Sequence, residues 1–421
     1  MLDGPRQGLA RSGQPPSLIP VTRSTVARVD LDALAANFDA LARFLAGDAG
    51  AAPHPAPRIM AVVKANAYGH GAAEVSLALE RAGATMLACA DIEEGIVLRK
   101  AGVRVPILVF GALSVSDLEG LFDFALTPTI STPGAARAVQ AAAARRRVTA
   151  GYHLKIDTGM NRLGFRHDNL RRTVPDLLAS PNLRLEALYT HFASADVPES
   201  ALFGEQRERF DRAAAVIAGL AGPGAAAVPR HAANSAALLR DSRVWYELVR
   251  PGLLLYGVVP PPLASTLPLR PVMSLVSRVV AVKGLRPGES VGYGGRFTAG
   301  EARSIAVVPA GYADGLDTRL EGRGQVLIRG RRVPVVGAVS MDMITVDVTG
   351  VEAVEPGDEV VLLGRQGPER WQQIDARETA AAIGAIPWEV LCRLGTRIER
   401  SYTGRAQGPN TAGTRADGGR A

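Results

Sequence analysis

Lysine is scarce in this sequence. Of 48 basic residues only Lys64, Lys100, Lys155 and Lys283 are lysine, and arginine takes every other place. On a solvated surface the two serve almost equally well, but only a primary amine condenses with a carbonyl to form a Schiff base. The positions that keep lysine are therefore the first candidates for covalent or acid–base chemistry. Lys64 closes the apolar run Met60-Ala61-Val62-Val63, Lys155 lies in His153-Leu154-Lys155-Ile156-Asp157, and His191 and Arg250 end apolar runs further along. A lysine desolvated beside other cations titrates low, which suits a Schiff-base nucleophile or a general base. One such lysine more often just closes a buried strand; two, with a histidine and an arginine in equivalent places, favour chemistry.

An alternation of strands and helices would bring these residues together. Short apolar runs at 60–66, 85–90, 106–111, 124–130, 152–157, 185–192, 230–234 and 248–256 alternate with helix-period segments, among them 72–82, 92–101, 132–146, 169–178 and 202–220. Eight such strands fit an α/β architecture of the (β/α)8 TIM-barrel type, whose usual size is about 250 residues. The rival, an open doubly wound sheet, more often needs a Gly-rich first turn, and Ala65-Asn66-Ala67-Tyr68 is not one. From about residue 271 the pattern changes to short β-branched segments between Gly/Pro turns, at 275–282, 303–308, 325–328, 333–339, 345–348 and 359–363, with a helix at 377–383. That composition predicts a mainly β C-terminal domain. The expected organisation is a tail over 1–26, the barrel over 27–270, the β domain over 271–402 and a second tail over 403–421. Both tails, rich in Gly, Pro, Thr and Arg, read as disordered.

Composition excludes several classes. The formal net charge of +7 owes more than half to the two tails, and no basic stripe with interleaved aromatics appears, so nucleic acid is not an expected partner. No apolar run approaches the ~18 residues of a membrane span. The N-terminal stretch lacks an apolar signal region, so a cytoplasmic location is expected. Cys89 and Cys392 form neither a disulfide framework nor a metal-ligand set, and no metal site is expected.

In a (β/α)8 barrel, function gathers at the C-terminal ends of the strands. Those positions read Lys64, then Lys155 and Asp157, then His191, then Asn234 and Ser235, then Arg250. Period-2 alternation puts Met60, Val62 and Lys64 on one strand face and His153, Lys155 and Asp157 on another. Phosphate sites in such barrels usually occupy the loops after strands seven and eight. Here those loops are Asn234-Ser235-Ala236-Ala237 and Pro251-Gly252-Leu253, with a hydroxyl at a helix start and backbone N–H groups beside a glycine. A reactive lysine with a phosphate seat suggests pyridoxal phosphate, although Ser235 alone would read as an ordinary helix cap.

Over about residues 27–402 the chain resembles the alanine racemase family. The resemblance is carried in order by Ala61-Val62-Val63-Lys64-Ala65-Asn66-Ala67-Tyr68-Gly69-His70-Gly71, Lys155-Ile156-Asp157-Thr158-Gly159-Met160-Asn161-Arg162-Leu163-Gly164, Arg250-Pro251-Gly252-Leu253, Val291-Gly292-Tyr293-Gly294, Gly311-Tyr312-Ala313-Asp314-Gly315 and Ser340-Met341-Asp342. It implies pyridoxal phosphate, a small amino acid (alanine) as substrate, and a homodimer whose sites each borrow residues from the partner's C-terminal domain. Lys64 would hold the cofactor as a Schiff base and exchange the α-proton on the D face, with Tyr293 of the other subunit as base on the L face. Arg162 and the Met341 backbone would bind the carboxylate, and Tyr312 would narrow the entrance. Tyr68, Ser235, Gly252 and Leu253 would hold the phosphate, beside Asn234. Arg250 would bond the pyridine nitrogen with His191 behind it. Lys155 is the counterpart of a lysine that is carbamylated in some relatives, a change that would set an anion facing Arg162.

These residue types suit the reaction. Inverting an α-carbon needs a proton removed on one face and delivered on the other. Tyrosine, with a free pKa of about 10, needs nearby positive charge to act as a base. An arginine at the pyridine nitrogen donates a hydrogen bond without giving up its proton, which weakens the electron sink and should suppress transamination. Three departures from the family pattern stand out: Trp388 where tyrosine is usual, Ser340 where cysteine is frequent, and Thr318-Arg319 where an arginine usually falls one residue earlier. Trp388 keeps a serine or broad-specificity racemase open as an alternative. A non-catalytic pyridoxal-phosphate carrier is the alternative of another class; such carriers are barrels alone, without a β domain bearing Tyr293.

Overall fold

The structure, a computed structural model, describes residues 24–49, 56–113, 117–222, 228–367 and 372–404. Residues 1–23 and 405–421, which make up nearly all of the two expected tails, lie outside the described residues. The strands up to residue 249 are β1 (Val26–Asp30), β2 (Arg58–Val62), β3 (Met86–Cys89), β4 (Ile107–Val109), β5 (Thr127–Ile130), β6 (Ala150–Asp157), β7 (Phe165–Arg166), β8 (Leu183–Tyr189), β9 (Arg230–His231) and β10 (Leu248–Val249).

Eight of these close a parallel ring in the order β2-β3-β4-β5-β6-β8-β9-β10, with β10 returning to β2 and β7 pairing only with β6. Strands buried on both faces read as continuous apolar runs. Ile107-Leu108-Val109, none of them accessible to solvent, is such a run. The helices outside carry local signals. In Ile92–Lys100 the Asp91 carboxylate accepts from Glu94 N–H, with Glu93 and Glu94 in the first turn and Arg99 and Lys100 in the last. In Pro133–Arg146, Thr132 caps the start and Arg145 and Arg146 complement the C-terminal dipole.

Several expectations change. β9 and β10 are shorter than the runs 230–234 and 248–256, because Asn234 caps the helix Ser235–Arg240 and the chain turns at Gly252. The helix expected at 169–178 breaks into Leu170–Thr173 and Pro175–Leu178, since Pro175 has no N–H to continue the ladder. The expected strand 275–282 is two strands, Met273–Arg278 and Ala281–Leu285. Between them Val279 N–H reaches Asp358 O and Val280 N–H reaches Val307 O, so the chain changes partners.

The C-terminal sheet runs Ala281–Leu285, Arg303–Val308, Ile344–Asp347, Arg331–Val336, Gln325–Ile328, Glu359–Gln366, Met273–Arg278, β1 and Glu399–Thr403. β1, which the boundary at residue 27 had grouped with the barrel, belongs to this sheet. It pairs antiparallel with Met273–Arg278 and parallel with Glu399–Thr403. Its alternation explains the placement: Ala27 and Val29 are fully buried while Arg28 faces out to Glu359, 3.0 Å away. Asn37, on the helix Leu31–Ala49 that follows, donates to Leu255 O (3.0 Å) and Arg270 O (2.8 Å) and accepts from Arg270 N–H (2.7 Å), pinning the exit of the barrel.

The segment 60–66 also ends as a strand earlier than expected, at Val62. Ala65, Asn66, Ala67 and Tyr68 all have φ of 53°, a left-handed turn that costs an L-residue about 1–2 kcal/mol each. Its surroundings hold it. Ala65 N–H donates to Glu94 Oε1 (2.7 Å), Ala72 N–H to Asn66 Oδ1 (2.7 Å), and Arg400 Nε to Gly69 O (3.1 Å). His70 is fully buried with Nδ1 2.9 Å from Tyr68 O. Gly69 has φ of 81°, and a Cβ there would run into the Leu391 carbonyl of the C-terminal domain. Gly102 has φ of 100° with open space around it. In urea denaturation followed by circular dichroism, Gly102→Ala should lose about 1–2 kcal/mol from backbone strain alone. Gly69→Ala should lose clearly more; equal losses would mean that the contact with Leu391 does not hold the turn.

Candidate active site

A cavity of about 710 Å³ opens at the C-terminal ends of the barrel strands. Its walls include ten of the residues singled out in the sequence: Lys64 and Tyr68 from the left-handed turn, Lys155 and Arg162, His191, then Asn234, Ser235, Arg250, Gly252 and Leu253. The C-terminal domain of the same chain adds Ile386 and Trp388, from the start of the helix Pro387–Cys392. Tyr293, Tyr312 and Met341 are not in these walls. They lie on the C-terminal domain, 77%, 45% and 51% exposed.

One side of the cavity suits a phosphate. Ser235 Oγ accepts from Gly252 N–H (2.9 Å) and Leu254 N–H (3.3 Å), tying the loops after β9 and β10 together. Asn234 Oδ1 caps the same helix by accepting from Ala237 N–H (2.9 Å), so its carbonyl is already engaged. A Cβ on Gly252 would fill the space in front of Tyr68 Oη. The Tyr68 ring packs on Tyr256 at 4.9 Å, and Tyr256 Oη in turn donates to Val62 O (3.0 Å). Burial raises the Tyr68 pKa, keeping its hydroxyl a neutral donor. Glycine, hydroxyls and backbone N–H groups thus form the kind of cradle that a phosphate ester needs.

The reactive lysine stands beside it. Lys64 is open to the cavity, yet the protein around its amine, and then the charge of Arg162, lower its pKa toward the free-amine form. Lys155 is buried, 6% exposed, and is pushed down to about 8 by burial first and then by Arg162 and Arg250. Asp157 Oδ1 accepts from Gly159 N–H (3.0 Å) and Asn161 N–H (3.1 Å), and so shapes the loop that carries Arg162. Arg162 is exposed and makes no ion pair with Asp157 or any other carboxylate among the described residues.

Arg250 forms the floor, 3% exposed. Its guanidinium donates to Thr190 O (2.9 Å) and Ala232 O (3.0 Å), and burial lowers its pKa to about 10. His191, expected behind it, has Nδ1 at 3.4 Å, a long contact; the short one is to His231 Nδ1 at 2.8 Å. Burial and the Arg250 charge keep both imidazoles neutral. His231 was missed as a site residue although it lay inside the expected strand 230–234. Tyr189 and Gln206 were missed too. Tyr189 stacks flat on His231 at 4.7 Å. Gln206, fully buried on the helix Ala201–Ala221, donates to His191 O (3.0 Å) and accepts from Ala193 N–H (2.8 Å), which fixes the His191 loop. Its immediate neighbours, Glu205 and Arg207, are charged; only its place between Phe203 and Phe210 at helical spacing could have signalled it.

The remaining departures have local explanations. Ser340 Oγ donates to Met343 O (2.8 Å) and accepts from Met343 N–H (3.0 Å), closing the turn that carries Met341. Tyr312 N–H bonds Ser340 O (2.9 Å), so Tyr312 and Met341 stand together. Arg319 is engaged by Asp317 through two bonds, of 2.9 and 2.7 Å.

Comparison with known proteins agrees with this architecture. Residues 29–260 match the family model described as alanine racemase, N-terminal domain, and residues 272–402 match alanine racemase, C-terminal domain. The chain is 41% identical over 383 residues to the alanine racemase of Symbiobacterium thermophilum, covering 91% of this chain and 98% of that one. It is 42% identical over 385 residues to that of Carboxydothermus hydrogenoformans, covering 90% and 100%. Among solved structures, the alanine racemase of D-cycloserine-producing Streptomyces lavendulae aligns with a TM-score of 0.84 at 34% identity, covering 91% of this chain and 98% of that one. The biosynthetic alanine racemase of Pseudomonas aeruginosa aligns at 0.77 and 33%, covering 91% and 100%. With both domain models matched in order and relatives aligned over nearly their whole length, the chain belongs to the alanine racemase family.

Proposed function

We propose that this chain is a pyridoxal-phosphate-dependent racemase that interconverts L-alanine and D-alanine, and that it supplies D-alanine for peptidoglycan. The observation that carries the reading is one cavity in which Lys64, its pKa lowered by burial and by Arg162, a phosphate cradle and a buried arginine meet. Tyr68, Ser235, Gly252 and Leu253 would hold the phosphate, Arg250 would bond the pyridine nitrogen, and Lys64 would make the covalent link. When bound, the cofactor would supply the electron sink for the pair left on the α-carbon. Arg162, which makes no ion pair with a carboxylate among the described residues, would orient the substrate carboxylate. Lys64 Nζ takes or delivers the proton on the D face.

The second base comes from a second copy. Tyr293 is 77% exposed and absent from its own chain's cavity, as are Tyr312 and Met341. In a homodimer the partner would present them: Tyr293 as base on the L face, the Met341 backbone on the carboxylate and Tyr312 at the entrance. Lys64→Ala should abolish racemisation and the visible absorption of the bound cofactor. Tyr293→Phe should still exchange the α-proton of D-alanine in heavy water but not that of L-alanine; normal racemisation by it would remove the two-base assignment. Mixing the two inactive variants in equal amounts should restore about a quarter of the wild-type activity, because half of the dimers then carry one intact site. No recovery would place both bases in one chain.

Lys155 is the proposed site of a carbamate facing Arg162. The neutral amine attacks the carbon of CO2, an N–C bond forms and a proton leaves. A lysine titrating at about 8 is mostly protonated below that pH, so the carbamate should grow as pH rises through about 8. With 13C-labelled bicarbonate, a carbamate resonance should follow this trend and vanish in Lys155→Ala; its absence from the wild type would leave Lys155 as a plain cation.

Trp388, with Ile386, shapes the side of the cavity belonging to the C-terminal domain, so side-chain selection is assigned there. Racemisation rates for alanine, serine and lysine should rank alanine first, with Trp388→Tyr changing the alanine-to-serine ratio. A wild-type preference for serine would favour the broad-specificity reading.

A further inference from the structure

The floor of the barrel holds two histidines to which the two-base reading gives no task. Arg250 needs a fixed orientation if its guanidinium is to face a pyridine nitrogen, and among the described residues its partners are all neutral: Thr190 O, Ala232 O, His231 and, more distantly, His191. Two carbonyls hold Nη2, and Nη1 is held by His231 Nδ1 at 2.8 Å. Guanidinium has no acceptor, so Nδ1 of His231 must present its lone pair and the ring proton must sit on Nε2. That Nε2 lies 2.9 Å from His153 Nδ1. His231 therefore donates, His153 Nδ1 accepts, and the proton of His153 sits on its own Nε2. The chain of donors runs one way, from Arg250 through His231 to His153.

The surroundings support this assignment. His231 is fully buried, and His153 is 4% exposed. Tyr189 lies flat against His231, with an interplanar angle of 9°, and its hydroxyl is 3.0 Å from Thr129 Oγ1. The imidazole therefore has little freedom to tilt or flip. The choice of residue matters as well. An aspartate at position 231 would also hold Arg250, but it would neutralise it; an imidazole accepts the hydrogen bond and leaves the full positive charge facing the cavity.

We propose that His231, backed by His153, is the positioning residue that aims the charged Arg250 guanidinium at the pyridine nitrogen, and that this aim is what limits transamination. The inference rests on the reading of Arg250 as the pyridine-nitrogen partner. In the side reaction the α-proton of alanine returns to the exocyclic carbon of the cofactor, water cleaves the resulting imine, pyruvate leaves, and the amino group stays behind as pyridoxamine phosphate.

The test has one arm without the cofactor and one with it. Imidazole 15N resonances of the cofactor-free protein at neutral pH should show neutral Nε2–H tautomers for both His231 and His153. An Nδ1–H tautomer or an imidazolium at His231 overturns the proposal, even if no variant folds. In the loaded enzyme, His231→Leu should bind pyridoxal phosphate about ten- to a hundredfold more weakly, as when an orienting partner of a functional group is removed. It should also convert more of the cofactor to pyridoxamine phosphate per racemisation event. His231→Asn restores an acceptor and should recover most of both losses, whereas a merely structural histidine would not show this recovery. If His231→Leu folds as the wild type does and keeps its affinity and partition within twofold, the positioning role fails. Arg250→Glu, measured alongside, separates the two ideas. No rise in transamination there removes the pyridine-nitrogen reading itself; a rise there with an unchanged His231→Leu removes only the histidine pair.

Discussion

The geometry of the cavity depends on the chain turning left-handed immediately after Lys64. Four consecutive L-residues with φ of 53° are held by backbone bonds within the turn, by Asn66 to Ala72 N–H, and by two partners from elsewhere in the fold. Those partners are Glu94 from the helix Ile92–Lys100 and Arg400 from the C-terminal domain, where the Leu391 carbonyl also leaves no room for a side chain at position 69. The turn brings Lys64 and Tyr68 into one cavity. A regular strand or helix over the same residues would send the two side chains along a different spacing. The C-terminal domain is thus more than a surface offered to a partner. It clamps the segment on which the reactive lysine of its own chain stands.

The electrostatic character of the site follows from what is missing around it. Lys64, Lys155, Arg162 and Arg250 share the cavity, and Asp157 turns its carboxylate to backbone N–H groups rather than to Arg162. Burial first, and the crowded cations after it, lower the pKa of both lysines and move them toward the neutral amine. The scarcity of lysine elsewhere in the chain takes on a physical meaning here. Arginine at either lysine position would stay charged at every relevant pH and could form neither an imine nor a carbamate.

Much of this was legible in the sequence, for identifiable reasons. Local patterns located the helix Ala72–Ala82 and the strands Arg303–Val308 and Gln325–Ile328 at their observed bounds. Ten candidate site residues share one cavity because the loops that follow parallel barrel strands all open on the same end. The failures have causes as well. Nothing local marks Ala65, Ala67 and Tyr68 for a left-handed turn; only Asn66 favours one, and the tertiary contacts decide. β1 was grouped with the barrel because its partners come from the other end of the chain. His231 sat within a correctly placed strand, but its task lies in a tautomer that only the distances to Arg250 and His153 reveal. Pro175, which breaks a helix expected to be continuous, was readable by the usual rule for proline.

The parallel pairing of β1 with Glu399–Thr403 carries a consequence for how the molecule comes into being. At about 5–20 residues per second, a ribosome delivers β1 roughly tens of seconds before the strand that will lie beside it. Throughout that interval β1 shows an open edge, and the helix bearing Trp388 and the strand bearing Arg400 have yet to appear. The turn after Lys64 can reach its final shape only when the last strand docks. The reactive lysine is among the earliest parts of the site to be synthesised and among the last to be set in place, so a nascent chain carries no competent site until synthesis has passed its final strand.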